Sequence, residues 1–187
     1  MSHLSTTLRI DAPAAAVFDL IADPARNAAW QSLLVEMGEI AGRPGGIGSS
    51  FVAYYRVAGR RLTCRFVVTA AERPRLFQLH GTTTGGWTRW TTMIEPTGAS
   101  CELQATLEYE LPGEIVGSLI GLLTGNRLEH EFRRTYDSLK GVAEATAAVA
   151  DPRLPTATGT SNAEGLGVRA AVADVDLGAS RRRLPSS

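Results

Sequence analysis

Between residues 34 and 111, six segments of alternating apolar and polar residues follow one another with only short turns between them. No other feature of the 187-residue chain limits its fold as strongly. The segments cover 34–40, 49–58, 61–72, 75–83, 87–95 and 100–111, and the turns read GRPGG, AGR, ERP, TGG and PTGA. Parallel neighbours would need crossovers of about a dozen residues or more, so this spacing predicts an antiparallel meander. HLSTTLRI, ahead of the meander, reads as a further strand. The one long helical segment, Glu114 to Ala148, follows Pro112-Gly113. Leu128, Phe132, Leu139 and Val142 fall near one face of that helix, and Gly121 or the TGN at 124–126 is where a kink is expected.

The first strand leads into DAPAAAVFDLIADPARNAAW, residues 11–30, which carries two helix-start signals. Asp11 is placed to cap a first helix, with Pro13 in a first turn that needs no intrahelical N–H. Val17, Phe18 and Ile21 share one face of it. Pro24 disfavours helix at Asp23, so the first helix stops and a second starts. The expected architecture is α+β: a curved seven-stranded antiparallel sheet wrapped around a long C-terminal helix, with two short helices after strand 1. Only the long helix can cover the sheet's apolar face. If the sheet curls, helix and sheet cannot touch everywhere, and an internal cavity remains with the short helices across its end.

Strand parity predicts which side chains face that interior, because alternate residues share a face. In SCELQATLEYEL, Cys101, Leu103, Ala105, Leu107, Tyr109 and Leu111 point in. In RLTCRFVVTA the inward set is Leu62, Cys64, Phe66 and Val68, with Arg61, Thr63 and Arg65 outward. Phe77 and Leu79 go in, with Gln78 and His80 out; Phe51, Ala53, Tyr55 and Val57 go in, with Arg56 and Tyr54 out. WTRWTTMIE fits either way, Trp90 and Ile94 inward being the cheaper choice. The wall so drawn is apolar and aromatic, with Tyr55, Tyr109 and Cys64 as polar groups and no carboxylate. It suits a hydrophobic ligand and offers no evident acid–base pair. For each of these side chains the alternative is a place in a solid core.

Composition narrows the remaining classes. Formal charge is zero, which gives no electrostatic reason to expect nucleic acid or an anionic membrane as partner. MSHLSTTLRI has no basic region followed by an apolar run, and the apolar stretch Ile115 to Leu123 is too short to span a bilayer. Cys64 and Cys101 have neither metal-type spacing nor a disulfide framework, so no metal and no cofactor are expected, in a reduced cytoplasmic protein. From Asp151 to Ser187 there is no aromatic residue, and Pro, Gly, Ser, Thr, Ala and Arg dominate. Such a segment cannot offset an ordering entropy of roughly 1–2 kcal/mol per residue. The folded domain is therefore expected at 1–148 and a disordered tail at 149–187.

Several motifs lead elsewhere. GRPGGIGSS is glycine-rich but enters a strand and lacks Gly-Lys-Ser/Thr, so it reads as a hairpin loop. LEHEF sets Glu129, His130 and Glu131 in different directions on a helix, and Arg134 stands where a zinc motif needs histidine. No Gly-x-Ser-x-Gly elbow occurs. His80 is the strand histidine kept as an acid–base candidate.

LRIDAPAAAVFDLIADPARNAAW, then TMIEPTGASCELQATLEYEL, then LEHEFRRTYDSLKGVAE, together resemble the SRPBCC (START-like, helix-grip) superfamily over residues 3–146. More narrowly, they are similar to its polyketide cyclase/dehydrase and lipid-transport branch. The resemblance implies a deep cavity between sheet and terminal helix that takes lipids, sterols, plant hormones or polyketides. In aromatase/cyclase members, pocket Arg, Tyr, Ser, His and Trp residues guide aldol closure of a poly-β-keto chain. Trp30 falls on the opening motif's tryptophan, near the pocket mouth in that family. For the pocket arginine, Arg56 and Arg65 are the candidates, and both have outward parity.

The expected function is binding of a hydrophobic, aromatic or polyketide-like small molecule by a monomer or homodimer. The ligand-binding candidates are Trp30, Tyr55, Cys64, Phe66, Phe77, Leu79, Trp90, Tyr109, Leu128 and Phe132. The alternative is a polyketide aromatase/cyclase in which His80, Tyr55 or Arg65 assists proton transfer. A third reading is a regulatory or sequestering module that contacts a partner through its tail.

Overall fold

The alternating segments fold as strands, and the short turns between them hold each strand beside the one before it. The computed structural model describes residues 2–57, 60–110 and 127–150. The strands are β1 (Ser2–Ile10), β2 (Leu34–Ala41), β3 (Ser50–Val57), β4 (Arg60–Glu72), β5 (Leu76–Thr83), β6 (Gly86–Thr97) and β7 (Ser100–Glu110). They form one curved antiparallel sheet in the order β1-β7-β6-β5-β4-β3-β2. From β2 to β7 each strand pairs with its sequence neighbour, as the turns require. The β6–β7 turn uses Gly98 at φ +76°, a conformation that costs glycine little.

β1 pairs with the last strand, Leu8 facing Leu103 and Leu4 facing Leu107. Strands β1 and β2, consecutive in the chain, are therefore the two edges of the sheet. Residues 11–33 run between those edges and carry both short helices.

The two faces of the sheet follow the side-chain period. Cys101, Leu103, Ala105 and Leu107 are buried while Glu102, Gln104 and Glu110 are exposed. The outer face carries exposed ion pairs: Arg61–Glu36 at 2.8 Å, reaching from β4 across β3 to β2, Arg75–Glu95 at 3.0 Å from the turn before β5 to β6, and Arg89–Glu108 at 3.1 Å between β6 and β7. Exposed pairs of this kind contribute roughly 0–1 kcal/mol each, so burial on the inner face dominates.

Helix α1 (Ala14–Ala22) buries Val17, Phe18, Leu20 and Ile21, and the Phe18 ring meets Phe77 edge-on at 5.8 Å. Asp11 does not cap it. Pro13 holds the N-cap position with no side-chain hydrogen bond, and the Asp11 N–H instead donates to Glu144 at 2.8 Å. A β-strand end docked onto the terminal helix has claimed that residue. Asp23 does cap the next element, accepting from the Ala25 N–H at 3.0 Å. Pro24 keeps Asp23 extended and opens a 3₁₀ helix, Pro24–Ala29. GRPGG lies in the β2–β3 loop and rests on α1: a Cβ on Gly45 would meet that of Ala22 at 2.9 Å.

Helix α2 (Arg127–Ala150) lies against the inner face. Phe132, Tyr136, Leu139 and Ala143 are buried at helical spacing, and Val142 is half-buried. Lys140 Nζ donates to the Arg9 carbonyl at 2.7 Å, fixing the helix to the end of β1. Val149 and Ala150, expected in the tail, are the last residues of α2; Leu111, the start of the expected helix at 114–126 with its kink, and the rest of the expected tail, 151–187, lie outside the described residues. No helix among the described residues is long and apolar enough to cross a membrane.

Candidate functional site

Helix α2 and the curved sheet do not meet everywhere, and two adjoining chambers lie between them. The larger, about 160 Å³, is walled by Leu62, Cys64 and Phe66 of β4, Thr88 and Trp90 of β6, and Leu107 and Tyr109 of β7. Leu4 and Leu33 close it from the two sheet-edge regions, and α2 contributes Leu128, Glu131, Phe132 and Thr135. The smaller, about 30 Å³, lies among Asn27, Trp30, Phe51, Phe77, Thr92 and Tyr136, all of them buried, with Ile21 and Leu79 beside them. Gln31, Tyr55, Phe66 and Trp90 line both chambers and form the partition.

Aromatic rings set the shape of this interior. Trp90 meets Phe132 at 5.9 Å, Phe132 meets Tyr136 at 5.1 Å, and Tyr136 meets Trp30 at 6.1 Å, a continuous series from sheet to helix to 3₁₀ helix. Separations of this size are those of favourable tilted and edge-on pairs. On the sheet, Phe66 stacks on Phe51 at 5.2 Å. Gly81, opposite Phe66 in the β4–β5 register, leaves room for that ring: a Cβ there would come within 2.5 Å of both Phe66 and Thr88.

Three buried polar groups of the lining, Tyr55, Cys64 and Tyr136, stay protonated at pH 7. Burial pushes the Cys64 thiol up to about 11 and the Tyr136 phenol up to about 12, a hydrogen bond from Thr92 opposing the second shift. Burial also drives Tyr55 well above the ordinary phenol range, and its hydroxyl donates to Gln31 Oε1 at 3.1 Å. None of these groups supplies an anion that could act as base or nucleophile near neutrality. Among the described residues, four buried polar atoms have no hydrogen-bond partner: Asn27 Oδ1, Trp30 Nε1, Thr88 Oγ1 and Trp90 Nε1. All four belong to residues that line the chambers. No cluster of three His, Cys, Asp or Glu side chains suited to a metal occurs among the described residues.

All ten candidates for ligand contact line one chamber or the other. Trp30, Phe77 and Leu79 are in the smaller, Cys64, Tyr109, Leu128 and Phe132 in the larger, and Tyr55, Phe66 and Trp90 in the partition. Trp30, expected near the mouth, is instead 4 % exposed and lies against Tyr136, because the 3₁₀ helix turns its ring inward.

The catalytic candidates separate. Tyr55 is in the lining, but His80 and Arg65 are on the outer face. His80 stands opposite Arg89 and stacks on Trp87 at 6.2 Å, and Arg65 pairs with Glu39 at 3.0 Å in solvent. Arg56 is exposed as well. Their outward parity decides their place.

The expectation of a wall free of carboxylates does not hold, since Glu131 lines the larger chamber, its side chain 27 % exposed beside Arg134. The sequence contained that signal. Leu128, Glu131, Phe132 and Thr135 are spaced i, i+3, i+4, i+7, one helix face. Thr88 and Thr92 likewise follow from the parity of Trp90. Asn27 and Gln31 had no such signal, because a 3₁₀ helix and the short segment after it follow neither period.

A family model described as polyketide cyclase / dehydrase and lipid transport matches residues 1–144. No curated protein matches the chain. Among solved structures, a protein of Thermus thermophilus aligns with TM-score 0.65 at 16% identity, covering 78% of this chain and 99% of its own. The Zhui aromatase/cyclase from a Streptomyces species aligns with TM-score 0.62 at 17% identity, covering 80% and 97%. A START superfamily protein of Mycobacterium smegmatis gives 0.57 at 19% identity, covering 77% and 98%. At these identities the likeness is one of fold: a sheet gripping a terminal helix.

Proposed function

Given that the chain belongs to the polyketide cyclase / dehydrase and lipid transport family, we propose that it binds a hydrophobic, aromatic or polyketide-like small molecule between sheet and terminal helix. One observation carries this reading: a 160 Å³ chamber walled mainly by Leu, Phe, Trp and Tyr side chains. An apolar cavity of about 150 Å³ is known to stay dry and accept a benzene-sized guest. Lining of this kind, with a few polar groups, is how proteins hold small apolar ligands. The protein is placed by this proposal in a reducing compartment, since Cys64 and Cys101 are both free and buried.

Binding without turnover fits the lining better than ring closure does. The described lining residues include no imidazole or guanidinium, Glu131 at the helix is the one carboxylate among them, and Tyr55, Tyr136 and Cys64 remain protonated near neutrality. The test is native mass spectrometry of the gently purified protein, followed by fluorescence titration with ethylbenzene and 2-ethylnaphthalene. A co-purifying hydrophobic molecule or saturable binding of either hydrocarbon is expected. Leu62→Trp, which fills the larger chamber, should abolish binding while leaving the fold intact. Absence of any bound species together with no hydrocarbon binding would overturn the reading.

A further inference from the structure

The smaller chamber differs from the larger in chemistry as well as size. Its 30 Å³ is enough for about two water molecules or one small functional group, since one water needs roughly 10–15 Å³ measured this way. Around it stand Trp30 and Trp90, whose indole N–H groups are buried and unpartnered among the described residues. An unmade hydrogen bond at a buried donor is costly, so something is expected to serve both.

The four unpartnered atoms do not carry equal information. A threonine hydroxyl rotates to donate or accept, and an asparagine amide can present either end, so Thr88 and Asn27 fit almost any polar group. An indole N–H only donates. Two donor-only groups at one small chamber therefore select an acceptor and reject an amine or ammonium, which would leave both unpaired. A carboxylate is disfavoured too, because the described lining offers it no cation and burying an unpaired charge is expensive.

We propose that the smaller chamber reads a neutral acceptor oxygen. The ligand's buried end carries a ketone-type carbonyl that takes hydrogen bonds from Trp30 Nε1 and Trp90 Nε1, while its ring lies in the larger chamber. Trp90 and Phe66 line both spaces, so the two ends of such a ligand would share one aromatic wall. This inference rests on the cavity-binding reading and adds to it the class of group at the ligand's inner end.

The test uses pairs of probes matched in shape: acetophenone against ethylbenzene, and 2-acetonaphthone against 2-ethylnaphthalene. Each ketone should bind about tenfold more tightly than its hydrocarbon, the gain expected from two net hydrogen bonds to buried groups. In NMR spectra, acetophenone should move the Trp30 and Trp90 indole proton signals downfield and ethylbenzene should not. The Trp87 indole, which donates to Glu110 at 3.1 Å on the outer face, is an internal reference. Trp90→Phe and Trp30→Phe should each lower the ratio of ketone to hydrocarbon affinity, with circular dichroism and urea denaturation reporting that the variants are folded. Equal affinity for ketone and hydrocarbon in the wild-type protein, with unmoved indole signals, would overturn the proposal and leave cavity binding standing. Failure of all four probes to bind would overturn cavity binding and this proposal with it.

Discussion

Tyr55 and Gln31 are joined by a 3.1 Å hydrogen bond at the partition between the two chambers, and each lines both. The bond ties the inner face of β3 to the segment just past the 3₁₀ helix, so the end wall and the sheet are held in register at the cavity itself. Tyr55→Phe would leave the Gln31 carboxamide without this donor and should cost about 1 kcal/mol of stability, read from urea denaturation. Because burial keeps the Tyr55 phenol protonated, the same substitution should change hydrocarbon affinity only slightly. A large loss of affinity with unchanged stability would show that Tyr55 contacts the ligand in preference to holding the wall.

Gly81→Ala tests how the cavity is made. The new methyl would come within 2.5 Å of the Phe66 ring and the Thr88 hydroxyl, both chamber-lining groups. Overpacking of this kind costs about 1–3 kcal/mol. The Phe66 ring should swing into the chambers, so hydrocarbon binding should fall more than thermal stability does. Unchanged binding would mean that the strand, and not the ring, yields.

Alkaline pH should weaken the fold in a defined order. Cys64 has a native pKa of about 11 against 9.0 in the unfolded chain, so above pH 9 the unfolded state loses a proton that the native state keeps. Stability is then full below pH 9 and falls as pH rises toward 11, by at most about 1.4 kcal/mol per pH unit for this one group. Cys101 is shifted in the same direction, and Tyr136, at about 12 against 10.0, adds to the loss above pH 10. Denaturant midpoints at pH 8, 9 and 10 should decline, and less steeply in Cys64→Ala. Equal midpoints from pH 8 to 10 would contradict the burial of these thiols.

His80→Ala and Arg65→Ala should leave ligand binding unchanged, since both side chains lie on the outer face. Arg65→Ala also removes an exposed pair with Glu39 and should cost less than about 1 kcal/mol. A drop in affinity in either variant, measured by fluorescence titration, would mean that the outer face communicates with the cavity.

What the sequence made legible follows from where its periods are clean. The C-L-A-L-Y alternation of β7 assigns every inner residue from Cys101 to Tyr109, and the parity of Phe66, Leu79 and Trp90 assigns the rest of the wall. The turn lengths gave the β2–β7 meander. The pairing of β1 with β7 is a contact between distant segments, and no local period encodes it. Asp11 shows the same limit from another side: it has a capping residue's chemistry, yet Glu144, far along the chain, takes its backbone N–H. Trp30 was legible as important but not as inner, because a single residue after a 3₁₀ helix has no neighbour to fix its direction. The division into two chambers depends on how side chains from four separate segments, Gln31, Tyr55, Phe66 and Trp90, meet.

Leu4 and Leu33 belong to regions at opposite edges of the sheet, yet both wall the larger chamber. The sheet is thus bent like an open clasp, and residues 11–33 act as its hinge pin, tying one jaw to the other. The width of the opening is a mechanical property of that tie as much as of the side chains inside. Any molecule that bridges Leu4 and Leu33 stiffens the clasp from within, and its arrival would be felt first in the backbone amides of β1 and β2, the strands with the fewest partners to hold them.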